Sequence, residues 1–256
     1  MARPVQASDG STTGPETPRT SVSSGADDQL ATAHDYDRWL AQDSLSARWI
    51  NFWLSPKRTF CMNTPARKLP AALALKSTDK VLDVGCGYGG LLLYLRKRGG
   101  VTAAMEGIDC SQRMVDRARR EIGVRGLDDV IHMRQGWATD LPYSDGSFDV
   151  VLCTFVVKHL SDALFMQMLR EVTRVLKPGG RFCVWEAGPS RYAFMQVWNL
   201  KLLRLGVSVL HLRAVDELRG LLEKAGFRDL QPCGHGLYYF YPPLPRVGFI
   251  ARRPNS

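Results

Sequence analysis

The sequence predicts an α/β domain built on a doubly wound parallel sheet, and three observations carry that expectation. From Lys80 onward, short β-branched and apolar runs alternate with helical segments, the pattern of a parallel sheet covered on both faces. One of these runs, Val81 to Val84, passes straight into a glycine-rich turn that opens a helix. The composition is that of an ordinary globular chain, with 45% hydrophobic and 23% charged residues in a length of 256, which excludes fibrous and wholly disordered classes.

Residues 1–28 hold 15 Ser, Thr, Gly or Pro and almost no large apolar side chain, so they are predicted to form a disordered tail that cannot offset the entropy of ordering. Residues 29–74 turn aromatic and helical and are broken at Pro56, Pro65 and Pro70; they are expected to form an N-terminal helical cap. Residues 75–256 then form the main domain. Strands are expected at 81–84, 101–108, 130–134, 148–154, 181–186 and 247–251. Leu91 to Arg98 reads as a helix stopped by Gly99 and Gly100, and Ser111 can cap a helix running to Ile122. Phe165, Leu169, Val172 and Leu176 fall at helical spacing and lay one stripe on the sheet before Pro178, Gly179 and Gly180. A last helix has Asp216 and Glu217 in its first turn and Lys224 in its final turn, as the helix dipole favours. No internal repeat is visible.

No window approaches 18 uninterrupted apolar residues and the first 30 residues contain no apolar h-region, so neither a membrane span nor a secretory signal is expected, and a cytoplasmic location follows. The six cysteines form no CxxC pair and read as reduced, mostly buried thiols, with no metal site implied. The formal charge is +9, and residues 191–256 hold ten basic against four acidic residues. Such an excess suits solvated helix faces first, and nucleic acid, anionic lipid or acidic metabolites second.

The chemistry concentrates in Val81-Leu82-Asp83-Val84-Gly85-Cys86-Gly87-Tyr88-Gly89-Gly90. Glycines 85, 87 and 90 satisfy GxGxxG, so this segment taken alone reads equally as a dinucleotide fingerprint. Nineteen residues beyond Gly90, Asp109 ends the second strand, where a carboxylate can accept hydrogen bonds from both hydroxyls of a ribose. Together these features point to an adenosyl ligand.

The wider pattern resembles the class I S-adenosylmethionine-dependent methyltransferases, most of all their small-molecule branch. Asp83 to Gly89 resembles that family's first motif and Gly107-Ile108-Asp109-Cys110-Ser111 its ribose motif. Asp140 to Val151 is similar to its loop and fourth strand, Arg174 to Arg181 to its approach to the fifth, and Leu218 to Phe227 to the following helix. The resemblance covers about residues 75–252. It implies a Rossmann-like, mostly parallel seven-stranded sheet with helices on both faces, S-adenosylmethionine as cofactor, and methyl transfer as activity. Carried over, it implies that Gly85 and Gly87 pack under the methionine part of the cofactor, that Asp83 supports its amino group and that Asp109 holds the ribose, with Gly89 and Cys110 also among the cofactor-binding residues. Where the family usually places an acidic residue against adenine, this chain has Gly136-Trp137-Ala138. Trp137 cannot accept that hydrogen bond, and is expected to stack on the adenine face with the Ala138 backbone at the ring edge, or else to turn into the core.

Methyl transfer needs alignment first and a base only when the acceptor begins protonated. His159, just past the fourth strand, is a candidate base, with a structural role in the loop as the alternative. Glu186, at the end of the fifth strand, is a candidate for binding a polar or cationic acceptor. His34, Tyr36 and Trp39 could cover the site from the N-terminal helices. Residues 189–213 are longer and more apolar than a plain crossover needs, so Phe194, Met195 and Trp198 are expected to line an acceptor pocket; an interfacial helix with Lys201 and Arg204 on the headgroup side is compatible with the same stretch. The expected acceptor is therefore small or lipid-like and hydrophobic, with peripheral membrane contact compatible and oligomeric state open.

Two other functions stay in view. RNA methylation would suit the basic C-terminal region, although Cys153-Thr154-Phe155-Val156 lacks the Asn-Pro-Pro-aromatic run of many adenine-amino methyltransferases and no appended nucleic-acid module is visible, so nucleic acid is disfavoured. A cofactor-binding regulator without catalysis is the alternative that Trp137 supports. A nicotinamide oxidoreductase would need a second nucleotide-binding half after residue 150, and no second glycine fingerprint follows.

Overall fold

A computed structural model of the chain describes residues 30, 31, 33–35, 37, 38, 41, 68–203, 210–233, 236, 237 and 245–255. The expected tail, residues 1–28, and the cap aromatics Tyr36 and Trp39 lie outside the described residues. After a short helix α1 (Leu69–Ala72) with Pro70 in its first turn, the chain runs β1 (Val81–Val84), α2 (Gly90–Arg98), β2 (Met105–Asp109), α3 (Gln112–Gly123), β3 (Ile131–Gln135) and β4 (Phe148–Thr154). A 3-10 turn (Val157–His159) leads to α4 (Asp162–Val175), then β5 (Leu176–Ala187), α5 (Ala193–Leu203), α6 (Val215–Lys224), β6 (Arg228–Pro232), β7 (Gly236–Leu237) and β8 (Pro245–Arg252). The helix starts follow local chemistry: Ser111 accepts from Met114 N at the head of α3 and Ser161 from Leu164 N at the head of α4, each satisfying one otherwise unpaired N–H.

The strands lie in the order β3-β2-β1-β4-β5-β8-β6, with the two-residue β7 paired to β8. β1 pairs in parallel with both β2 and β4, β4 with β5, and β8 runs antiparallel to its neighbours. The direction of winding reverses between β1 and β4, and the carboxyl ends at such a switch point are where a doubly wound sheet opens a ligand crevice. Alternation along β4 divides the core in two. Val151 and Cys153 meet α4 and α6 through Phe165, Val172, Leu218 and Leu222; Val150 and Leu152 meet α1, α2 and α3 through Leu69, Leu92, Val115 and Ile122.

Several elements differ from the sequence reading, among them the limits of β2 and β5 and the strands β6 and β7, which it did not contain. The strand expected from Val101 starts at Met105, because Thr102 N and Ala103 N donate to Ser77 O at 2.8 and 3.0 Å instead of joining a strand ladder. Leu176 belongs to β5 rather than to the preceding helix, and Pro178-Gly179-Gly180 falls inside β5, where the pairing with β4 shifts register between Phe148 and Val150. β6 escaped the strand pattern since its residues Arg-Asp-Leu-Gln-Pro are mostly exposed and show no apolar alternation.

Candidate active site

The glycine turn sits at the carboxyl end of β1, directly opposite the chain leaving β4. Gly85 has φ +74°, and a Cβ there would overlap Val156 Cγ2, so the two loops approach closely only because position 85 lacks a side chain. Gly87 has φ +50° with open space where its Cβ would be, leaving room beside the turn. The turn is stitched to β2: Gly85 N and Cys86 N donate to Ile108 O at 2.7 and 3.1 Å.

Asp109 closes this arrangement. Its Oδ2 accepts from Gly87 N and its Oδ1 from Ser111 N, both at 2.9 Å. A carboxylate has about four acceptor positions, so each oxygen retains capacity for a further donor. Burial pushes the Asp109 carboxyl up, and the two backbone N–H groups pull it back. Asp83, in β1 below the turn, is buried, and burial together with the charge of Asp109 raises its pKa to about 8. Its Oδ1 has no hydrogen-bond partner among the described residues, and an uncompensated buried carboxyl oxygen marks a place for a donor or a cation. A turn whose glycines 85, 87 and 89 leave the backbone open, beside one buried and one half-buried carboxyl, fits a ligand with a ribose and a positively charged amino-acid end.

Other candidate cofactor residues border this cradle. Gly89 has φ +71° and is the N-cap of α2. Cys110 is half-buried, its thiol pKa raised by burial, and its carbonyl accepts from Gln135 Nε2 at 3.1 Å. Gly136 N donates to Asp109 O at 3.0 Å, tying the loop after β3 to the ribose loop. Next in that loop, Trp137 is half-buried and bridged to Asp140, and Ala138 packs against the core on the α4 and α6 side. The indole is therefore neither fully exposed nor fully buried.

On the acceptor side, Phe155 takes the strained φ of +63° at the end of β4. Its carbonyl accepts from Lys158 Nζ and its N–H donates to Trp185 O at 3.0 Å, contacts that hold such a conformation in place. His159 is 6% exposed, on the 3-10 turn. Arg213 holds that turn from outside, donating to Val157 O at 2.7 Å and Leu160 O at 2.6 Å and pairing with Asp162 Oδ1; His211 N donates to Lys158 O at 2.6 Å. Glu186 was expected to be available to a cationic acceptor. It is buried, accepts from Lys158 N and Ala187 N, and pairs with Lys158 Nζ at 3.3 Å, so its charge is already matched within the chain. Burial lowers the Lys158 pKa while Glu186 raises it.

Phe194 and Trp198 were expected to line a pocket, yet they are 70% and 63% exposed on the outer face of α5, with Met195 half-buried beside them. His34 is exposed. The contact that sequence reasoning missed comes from Asp37, a helical residue of the N-terminal region, whose Oδ1 accepts from Ser111 Oγ. It brings a third carboxylate to the ribose loop, and its charge also raises Asp109. Among the described residues no group of three His, Cys, Asp or Glu could hold a metal ion, and no helix is long and apolar enough to cross a membrane.

Residues 81–180 match the family model described as a methyltransferase domain. The chain is also 30% identical over 178 residues to the demethylmenaquinone methyltransferase of Staphylococcus aureus, an alignment that spans 62% of this chain and 72% of that one. With the fold and cradle above, the chain belongs to the class I S-adenosylmethionine-dependent methyltransferases. It is similar as well to the demethylmenaquinone methyltransferase of Lactobacillus johnsonii, 38% identical over 120 residues covering 47% of this chain and 48% of that one. The chain spans about half the length of this relative and of three others with the same name. A solved S-adenosylmethionine-dependent methyltransferase from Aquifex aeolicus shares the fold, with a TM-score of 0.60 at 22% identity over 80% of this chain and 97% of that one.

Proposed function

We propose that this chain transfers the methyl group of S-adenosylmethionine to a small, hydrophobic, lipid-like acceptor by in-line displacement. The observation that carries the donor half is the pair of carboxyls around the glycine turn at the β1/β4 switch point, Asp83 buried and Asp109 half-buried. Bound there, the cofactor would supply an electrophilic methyl carbon on a sulfonium whose departure leaves a neutral thioether. In this reading Asp109 holds the ribose hydroxyls, Asp83 faces the amino group, Gly85, Gly87 and Gly89 leave the backbone open to the methionine part, Cys110 borders the ribose end, and Trp137 and Ala138 border adenine. The acceptor half is supported by relatives named demethylmenaquinone methyltransferase and by the apolar run between β5 and α6.

The chain's own groups then handle the acceptor proton. His159 is held by the 3-10 turn, to whose carbonyls Arg213 and His211 N donate, and it takes the proton of an acceptor that begins protonated. Glu186 acts through Lys158, keeping the turn and the Phe155 carbonyl in place. Turnover on a panel running from polar amines and RNA fragments to quinols with isoprenoid tails tests the reading. The apolar quinols should be methylated best, and His159→Ala should lower their turnover about 100-fold with cofactor affinity nearly intact. Preference for the polar acceptors, or cofactor binding with no methyl transfer to any acceptor, contradicts it.

A further inference from the structure

Helix α5 turns several large apolar side chains outward. Its exposed arc carries Phe194, Val197, Trp198 and Lys201, while the amide side chain of Asn199 is fully buried and Gln196 is half-buried. Positions 194, 197, 198 and 201 recur at helical spacing, so they form one continuous stripe. A surface helix of a globular protein shows the opposite arrangement. Gln196 is engaged, its Oε1 accepting from Ser190 N at 2.6 Å; both amide atoms of Asn199 lack a hydrogen-bond partner among the described residues. Burying an amide while exposing a phenyl and an indole costs free energy in water twice over, which means that the outward stripe faces something other than water in use.

The flanks state what that surface is. At the head of the helix Arg191 stacks on Tyr192 at 4.8 Å and donates to its hydroxyl at 2.7 Å, and Tyr192 lies 6.1 Å from the Phe194 ring. Lys201 sits in the middle of the apolar arc near the other end, where a lysine stem can lie along hydrocarbon with its ammonium reaching outward. Between Glu186 and Asp216 the sequence holds four basic residues and no acidic one; Arg191 and Lys201 are exposed, while Arg213 is buried and paired with Asp162. Aromatic rings with hydroxyl or N–H tips, on a segment that carries exposed cations and no carboxylate of its own, match the boundary between acyl chains and anionic headgroups.

We infer that the outer face of α5 is a docking surface for an anionic lipid bilayer, lying in the headgroup plane rather than crossing the membrane. Arg191 and Lys201 contact headgroups, and Phe194, Val197 and Trp198 enter the acyl boundary. This goes beyond the acceptor reading and does not rest on it, because vesicle binding can be measured without any methyl transfer.

The test is sedimentation of the full chain with vesicles of phosphatidylcholine alone and of equal parts phosphatidylcholine and phosphatidylglycerol. Binding to the mixed vesicles should be about tenfold tighter or more and should weaken with salt. Trp198→Ser with Phe194→Ser, and separately Arg191→Glu with Lys201→Glu, should each lower that binding about tenfold or more, with melting temperatures close to wild type because the altered side chains are exposed. Equal binding to both vesicle types overturns the inference, as does a stripe whose polar variants unfold the chain. A self-associating chain whose dimer dissociates in these variants while vesicle binding stays unchanged assigns the stripe to a second copy and overturns it too.

Discussion

Burial of Asp83 beneath the glycine turn, beside the charge of Asp109, raises its pKa from 3.8 to about 8, so at neutral pH the carboxyl is largely protonated in the free protein. An acid whose folded pKa lies above its unfolded value contributes stability below the unfolded value and loses it as pH rises through the folded one. The free protein should therefore lose stability between about pH 4 and pH 8, and Asp83→Asn should flatten that slope in thermal unfolding series. A cationic amino group placed against Asp83 reverses the balance by favouring the ionised form. Cofactor titrations near pH 7 in buffers of different ionisation enthalpy should then show release of close to one proton, absent in Asp83→Asn. Proton-neutral binding by the wild type would remove Asp83 from the cofactor's charged end.

The elements meet at the site through two contacts that can be broken separately. In Gly85→Ala the new methyl overlaps Val156 and the residue must hold φ +74°, which together cost about 2 to 5 kcal/mol. Adding Val156→Ala should return the packing share, so denaturant midpoints of the single and double variants should show coupling of about 1 to 3 kcal/mol; strict additivity would mean that the β1 and β4 loops do not touch. At the other contact, Lys158→Met leaves Glu186 buried and unpaired, at a cost of about 3 to 5 kcal/mol, whereas Lys158→Met with Glu186→Gln removes both charges and should cost less than the single change. A double variant as unstable as the sum of its parts contradicts the pairing. The glycine turn and Asp109 were readable in the sequence because strand, turn and acidic residue follow one another locally. Asp37 on Ser111, Glu186 on Lys158 and Asp162 on Arg213 join residues 74, 28 and 51 positions apart, and no local periodicity announces such pairs. The same limit applies to α5: its apolar residues were legible, but the side they face depends on which arc the rest of the chain covers.

Over the whole molecule, a chain of net charge +9 encloses a site where Asp37, Asp83 and Asp109 gather. The global field favours anionic surfaces, and the local one favours a cationic ligand. The doubly wound order places the two at different addresses, the carboxylates at the β1/β4 switch point and the exposed cations Arg191 and Lys201 on the segment after β5. Calorimetric titration of wild type and Asp109→Ala with S-adenosylmethionine, its demethylated product and a nicotinamide dinucleotide tests the assignment most directly. The wild type should bind the first two and not the third, and Asp109→Ala should weaken both by about tenfold or more, since each charged hydrogen bond contributes about 1.5 to 3 kcal/mol. Unchanged affinity in Asp109→Ala, or a wild type that prefers the nicotinamide cofactor, would contradict it.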